Sequence, residues 1–240
     1  YSTLEGCLRE TLDGSAPRAM AVLDPVKLVL TNWDEVMGAG MLDDCSAPIH
    51  PHHPEFGQRS FKIGKEVWIE RSDYEETPPK GFFRLFPPHV NASNQAIAGS
   101  KVRLKYGHVI ECTGAIKDAD GSVVEVQATL IPDTKSGTPG ADSVKVKGVI
   151  TWVALADAVP AEVRLYERLF KEAHPEGGGV DFLTNLNDDS LKVMTAYVEP
   201  SLASGGAIRA EADDKFQFER HGYFVADRID HATDKPVFNL

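Results

Sequence analysis

Between Glu76 and Glu111 the chain carries no aspartate or glutamate, yet Lys80, Arg84, Lys101, Arg103 and Lys105 all fall inside that window. Phe82, Phe83, Phe86 and Tyr106 are interleaved with them. Cations neutralise phosphates and aromatic faces stack on unpaired bases, so the combination suits a contact with single-stranded RNA. If about four or five phosphates were neutralised, log K would fall against log salt with a slope of roughly −3 to −4. A solvated strand pair that lacks acids has the same composition. The window stands out because the chain is acidic: it carries +5 within a net charge of −11, which leaves −16 elsewhere. Spread evenly, that net charge would argue against a nucleic-acid partner.

Outside the window, Arg18 follows Pro17 at the start of an apolar run over residues 20–30, and Gln217 and Arg220 sit in the segment Phe216-Gln217-Phe218-Glu219-Arg220. Arginine offers a planar donor fork for guanine or phosphate, and glutamine pairs a donor with an acceptor at a base edge. Strand alternation puts Phe216 and Phe218 on one face and Gln217 and Glu219 on the other. Arg220 then falls on the phenylalanine face and must lie near a strand end to reach solvent. Taken singly, each arginine reads as a surface salt bridge. As a set with the acid-free window, they leave RNA contact and a plain solvated face both open.

Other chemistries find less support. Cys45 with His50, His52 and His53 brings zinc-type ligands close together, but the spacing fits no finger or ribbon, and Pro51 and Pro54 predict a rigid loop instead. Asp118-Ala119-Asp120-Gly121 has its glycine too early for a calcium loop and predicts a hairpin turn. Gly177-Gly178-Gly179 is followed by no Lys-Ser/Thr pair, and no Gly-x-Ser-x-Gly elbow or dinucleotide fingerprint occurs. No catalytic residue and no metal ligand is assigned within this chain.

Positioning these side chains falls mainly to strands. The 240 residues contain β-rich, partly alternating runs at 61–70, 102–111, 123–131, 144–155, 162–170, 190–198 and 216–226. A helical pattern occurs at 3–12, with Ser2 or Thr3 as cap and Glu5 in the first turn. Candidate loops are 37–54, 87–100, 174–180 and 201–214. The class predicted is mainly all-β: two small β-barrels with a short N-terminal helix and few other helices. Three widely spaced cysteines, no apolar run near the ~20 residues of a membrane span and no visible signal peptide lead us to expect a cytoplasmic, non-membrane protein without disulfides.

Several segments, in order, resemble the anticodon-binding half of the glutaminyl-tRNA synthetases. They are Arg18-Ala19-Met20-Ala21-Val22-Leu23-Asp24-Pro25-Val26-Lys27, Trp68-Ile69-Glu70-Arg71-Ser72-Asp73-Tyr74, residues 145–153, Glu199-Pro200-Ser201-Leu202 and, most specifically, residues 216–224. The resemblance runs from about Leu4 to Asn239, with a longer stretch at 87–100. It implies that residues 1–18 connect to a catalytic, acceptor-stem half. Residues 19–240 would form the two barrels, approximately 76–160 in one and 19–75 plus 161–240 in the other. It implies that the middle anticodon base is read by Arg18 and Gln217 and the third by Arg84. Arg103 and Lys105 would meet the first base and its phosphates, and Arg220 would contact the loop. Lys105 stands where some members have arginine, and Thr151 where many have histidine.

The implied partner is the anticodon stem-loop of glutamine tRNA, bound by a monomer, with no role for DNA. The implied parent enzyme is an aminoacyl-tRNA ligase that joins glutamine to its tRNA with ATP and magnesium. Neither the His-x-Gly-His nor the Lys-Met-Ser-Lys-Ser type of signature occurs here, so this chain alone is expected to bind neither cofactor. Two alternatives remain: the similar barrels of an archaeal- or eukaryote-type glutamyl-tRNA synthetase, and a protein-interaction barrel with no RNA role, motivated by the charge of −11.

Overall fold

A computed structural model describes residues 2–91 and 93–240; the side chains of Ser2 and Glu5, and with them most of the helix-capping expectation, lie outside the described residues. Strands dominate, and nearly all fall into two seven-stranded sheets. The first runs, neighbour to neighbour, through Gly148–Ile150, Lys101–Leu104, Val109–Lys117, Val123–Leu130, Pro25–Leu30, Glu66–Glu70 and Trp152–Ala154. Its two edge strands are consecutive in the chain and separated by Thr151 alone. The chain steps from one edge to the other there, and the sheet curls into a nearly closed barrel. The second sheet repeats the device: Arg18–Ala19, Lys215–Phe218, Gly222–Ala226, Val237–Asn239, Val159–Tyr166, Leu191–Val198 and Ala21–Val22, with Met20 between its edges. Closure removes the exposed strand edges that would otherwise template pairing with another chain. Both switch residues are fully buried.

Each barrel has its own core. Strand Pro25–Leu30 buries every second residue, as a sheet with one face inward requires. Its Val26, Leu28 and Leu30 pack with Trp33, Ile69, Val102, Trp152 and their neighbours in the first core. Phe216, Phe218, Phe224 and Phe238 fill the second. Phe218 stacks on Phe224 with centroids 4.6 Å apart, and the inward face of that strand is therefore the one expected.

The division of the chain between barrels differs from the expected one. The expected division places 19–75 with 161–240, but Pro25–Leu30 pairs in parallel with Val123–Leu130, and Glu66–Glu70 pairs with both Pro25–Leu30 and Trp152–Ala154. Alternation specifies which face a strand buries but not which strand it meets, so these long-range pairings leave no local mark. Among 19–75, only the short strands before Leu23 join the second barrel. The predicted loop 37–54 likewise contains strand Asp43–Pro48, paired along its length with Gln58–Ile63. The expected hairpin at 117–121 is present, with Asp118 Oδ1 accepting from the Asp120 and Ser122 amides. The longer 87–100 stretch forms a small hairpin, His89–Val90 with Ala96–Ile97.

The barrels are bolted together by polar groups as well as by packing. Trp68 of the first stacks on Tyr197 of the second, centroids 4.8 Å apart and rings 1° from parallel. Glu70 accepts the Leu23 and Asp24 amides where the chain crosses between barrels. His221 Nε2 stands 3.0 Å from the same carboxylate, off the hydrogen-bond direction. Burial opposes the Glu70 charge, but His221 and these amides hold its carboxyl below the usual range. Arg59, with no exposed surface, lies between Glu199 at 2.8 Å and Glu219 at 2.5 Å. Burial works against its charge and the two carboxylates outweigh it, so its pKa stays above the ordinary value.

Candidate nucleic-acid interface

Pairing of Arg18–Ala19 with Lys215–Phe218 sets Arg18 directly beside Gln217. These two, with Pro48, Pro51, Lys105, Tyr106, Glu219 and Arg220, line a groove of about 320 Å³ where the two barrels meet. Arg18 is nearly buried; its Nη2 donates to Asp13 Oδ1 at 2.7 Å and to the Asp13 carbonyl at 3.1 Å. Its Nη1 is buried without any partner. The Gln217 side chain makes no hydrogen bond either, although its backbone amide donates to Pro17. An unpaired guanidinium donor next to an unpaired amide is an arrangement ready for a base edge.

The Lys105 ammonium contacts the Glu219 carboxylate, and Tyr106 Oη donates toward both Glu219 oxygens at 3.1 Å. Burial, then the neighbouring Glu219 anion, pushes the Tyr106 phenol up to about 12, so it remains a neutral donor. Both groups sit in tight turns. Tyr106 (φ 63°) and Arg220 (φ 75°) adopt the left-handed conformation uncommon for non-glycine residues. Arg220 therefore leaves the strand, which ends at Phe218, and points away from the phenylalanine face.

A second groove of about 450 Å³ is lined by Gly81, Phe82, Phe83, Arg84, Lys147, Gly148, Val149 and, again, Arg220. Phe83 is 54% exposed, with the Lys147 ammonium 5.0 Å from its ring centroid. A Cβ on Gly148 would come within 1.9 Å of the Phe83 carbonyl, so only glycine lets these two segments close on each other. Arg84 places Nε 3.2 Å from Asp73 Oδ1 and donates from Nη1 to the Ser72 carbonyl at 3.2 Å.

Of the six residues expected to contact RNA, Arg18, Lys105, Gln217 and Arg220 share the first groove, and Arg84 and Arg220 the second. Arg103 lines neither. Its guanidinium donates to the carbonyls of Thr134 at 2.7 Å and Ala141 at 2.5 Å and to those of Gly107, and so ties down the 131–143 loop. The window is also acid-free only along the chain. In space Lys101 meets Glu111, Arg84 meets Asp73 and Lys105 meets Glu219. Sequence reasoning missed Asp73, Glu219 and Lys147. The only available signal was Glu219 flanking Arg220.

The Cys45 and histidine cluster packs as structure. Cys45 is in the first core, its thiol pushed by burial up to about 12. His50 Nε2 faces the Asp13 carbonyl at 2.7 Å while Nδ1 accepts the His52 amide at 3.2 Å, so both ring nitrogens are engaged. His53 stacks on Phe56. Among the described residues, no group of three or more His, Cys, Asp or Glu is disposed to hold a metal.

Two linked barrels with an arginine- and aromatic-lined groove at their junction define a nucleic-acid-binding module. Residues 16–131 match the family described as "tRNA synthetases class I (E and Q), anti-codon binding domain", and residues 149–227 match a second family of the same description. The chain belongs to these anticodon-binding domains. It is 59% identical over 238 residues to a protein of Cupriavidus taiwanensis named glutamine--tRNA ligase, and 58% identical over 238 residues to one so named from Ralstonia nicotianae. A third, from Bordetella pertussis, is 53% identical over 239 residues. These alignments cover 99% of this chain or more, and the chain spans 37–38% of the relatives' length.

Proposed function

We propose that the chain reads the anticodon loop of glutamine tRNA for a parent protein that joins glutamine to that tRNA with ATP and magnesium. The observation that carries this reading is the orphaned Arg18 Nη1 beside the unpaired side chain of Gln217. A buried donor left without a partner costs free energy, of the order of 1–3 kcal/mol, and an incoming base acceptor removes that cost. Arg18 and Gln217 are here the readers of the middle base, Arg84 of the third, and Lys105 a phosphate contact. One chain serves one tRNA as a monomer in the cytoplasm, where tRNA and ATP are available. The names of the relatives favour glutamine over glutamate.

The test is equilibrium binding of the full chain to a glutamine anticodon stem-loop and to loops altered at the middle base. Arg18→Ala is expected to weaken the cognate loop by about 1–3 kcal/mol and to flatten discrimination at that base. Wild-type affinity that is equal for the glutamine and glutamate loops would overturn the assignment of tRNA. Absence of binding to either would favour a protein-interaction barrel.

A further inference from the structure

The two arginines of the second groove share one carboxylate that lines neither groove. Asp73 closes the short helical turn Arg71–Asp73 after strand Glu66–Glu70, and its side chain has no exposed surface. Arg220 binds it in a two-pronged pair, Nη1 to Oδ2 at 2.7 Å and Nη2 to Oδ1 at 2.6 Å. Arg84 Nε reaches the same Oδ1 at 3.2 Å. The main chain reinforces the clamp. The Leu85 amide donates to the Asp73 carbonyl at 2.9 Å, and Tyr74 bridges to Leu85. Asp73 thus holds the segment bearing Arg84 by its backbone and the guanidinium by its side chain.

The clamp also fixes how much of each arginine is free. Arg220 is spent on Asp73 and on Thr151 Oγ1, 3.3 Å from its Nη1. Arg84 keeps Nη2 without a partner, since Nε and Nη1 are engaged by Asp73 and Ser72. Arg220 lines both grooves, so anything that moves it moves the wall they share. Its backbone is in the left-handed conformation, φ 75°.

We propose that Asp73 is a specificity-determining positioning residue, which orients Arg84 for base reading and uses Arg220 as a fixed brace between the two grooves. This rests on the anticodon reading above. A carboxylate suits this position because its charge offsets the repulsion between the two guanidinium ions it holds. Its negative charge should lower general affinity for RNA while raising discrimination between bases.

The test is Asp73→Asn in the full chain, measured for affinity to the glutamine anticodon stem-loop and to the loop altered at its third base. The expected result is a loss of roughly tenfold in third-base discrimination, with non-cognate affinity unchanged or raised because one negative charge is gone. In that background Arg84→Ala is expected to cost no further discrimination, since contacting residues are non-additive. Equal weakening of cognate and non-cognate loops, or wild-type discrimination in the variant, would overturn the proposal. If the asparagine variant does not fold, Arg220→Gln tests the same clamp: third-base discrimination is expected to fall by roughly tenfold again, here with weaker affinity for every loop because a positive charge is lost, and wild-type discrimination would overturn the proposal. Failure of the wild-type chain to discriminate at all would instead sink the anticodon reading on which this rests.

Discussion

Replacing Arg59 by methionine should expose how the two barrels are held together. The side chain is fully buried between Glu199 and Glu219, and donates from Nη1 to the Pro48 carbonyl at 2.5 Å. Without it Glu219 keeps Lys105 and Tyr106, whereas Glu199 keeps only neutral donors, the Met20 amide and the Ser201 hydroxyl. Removing one partner of a buried ion pair costs about 3–5 kcal/mol. Glu199 can escape part of that by taking up a proton. Burial already pushes its carboxyl above the ordinary 4.5, with Arg59 opposing. A group raised in the folded state supports folding most when protonated, and that support is lost as pH rises through the folded pKa. Protonation therefore caps the carboxylate's share of the loss at about 4 kcal/mol at pH 7.5 and about 1.4 kcal/mol at pH 5.5, from 1.36 kcal/mol per unit above 4.5. Urea unfolding of wild type and variant at both pH values measures the difference directly. A loss below about 1 kcal/mol at pH 7.5, or one that does not shrink at pH 5.5, would refute the reasoning. Adding Glu199→Gln should restore stability and remove the pH dependence.

His108→Gln should flatten the fall in melting temperature below pH 6.5. Burial holds the His108 pKa below 6.5 against the opposing pull of Asp43, so the unfolded chain takes up a proton first and stability drops by at most about 1.4 kcal/mol per pH unit. Asp43, depressed from 3.8 by Lys135 and His108 against burial, acts only at lower pH. Arg103→Ala should cost roughly 1.5–3 kcal/mol of stability and speed proteolysis at 131–143, because its hydrogen bonds go to loop carbonyls. An effect of Arg103→Ala on RNA affinity larger than that of Arg18→Ala would contradict that placement.

The fold class was legible because alternation and turn residues are local properties. Strand Val123–Leu130 and the hairpin before it follow directly from alternating valines and Asp120-Gly121. What stayed hidden is where the chain turns without the usual signals. The run 102–111 is two strands broken at 105–108, and the run 216–226 is two broken at Glu219, Arg220 and His221. Neither turn carries Asn-Gly or Asp-Gly. Tyr106 and Arg220 take the left-handed conformation instead. Those same turns supply Lys105, Tyr106, Glu219 and Arg220 to the first groove. A turn made from glycine would be easier to read and would carry no side chain to the site. Arg18, Arg84 and Arg220 stand out by residue type and resemblance, but the carboxylates they meet do not, since Asp73 reaches Arg84 and Arg220 only in the folded chain.

The salt dependence of RNA binding is where sequence and structure give different numbers. Counting the cations of the acid-free window predicts a slope of roughly −3 to −4. In the folded chain three of the five face carboxylates, and Arg103 faces carbonyls. A cation already neutralised by a neighbour releases fewer counterions from the nucleic acid than a free one, because the pair brings little net charge to the phosphate. Among the described residues, Lys80, Lys145 and Lys147 have no carboxylate partner and lie in or next to the segments of the second groove. Three phosphates on a single strand, at about −0.7 each, give a slope near −2. Titration of the glutamine anticodon stem-loop between low and physiological salt distinguishes the two. A slope of −3 or steeper would mean that RNA breaks the Lys105–Glu219 and Arg84–Asp73 pairs on binding, and that these carboxylates compete with phosphate for the cations rather than orient them.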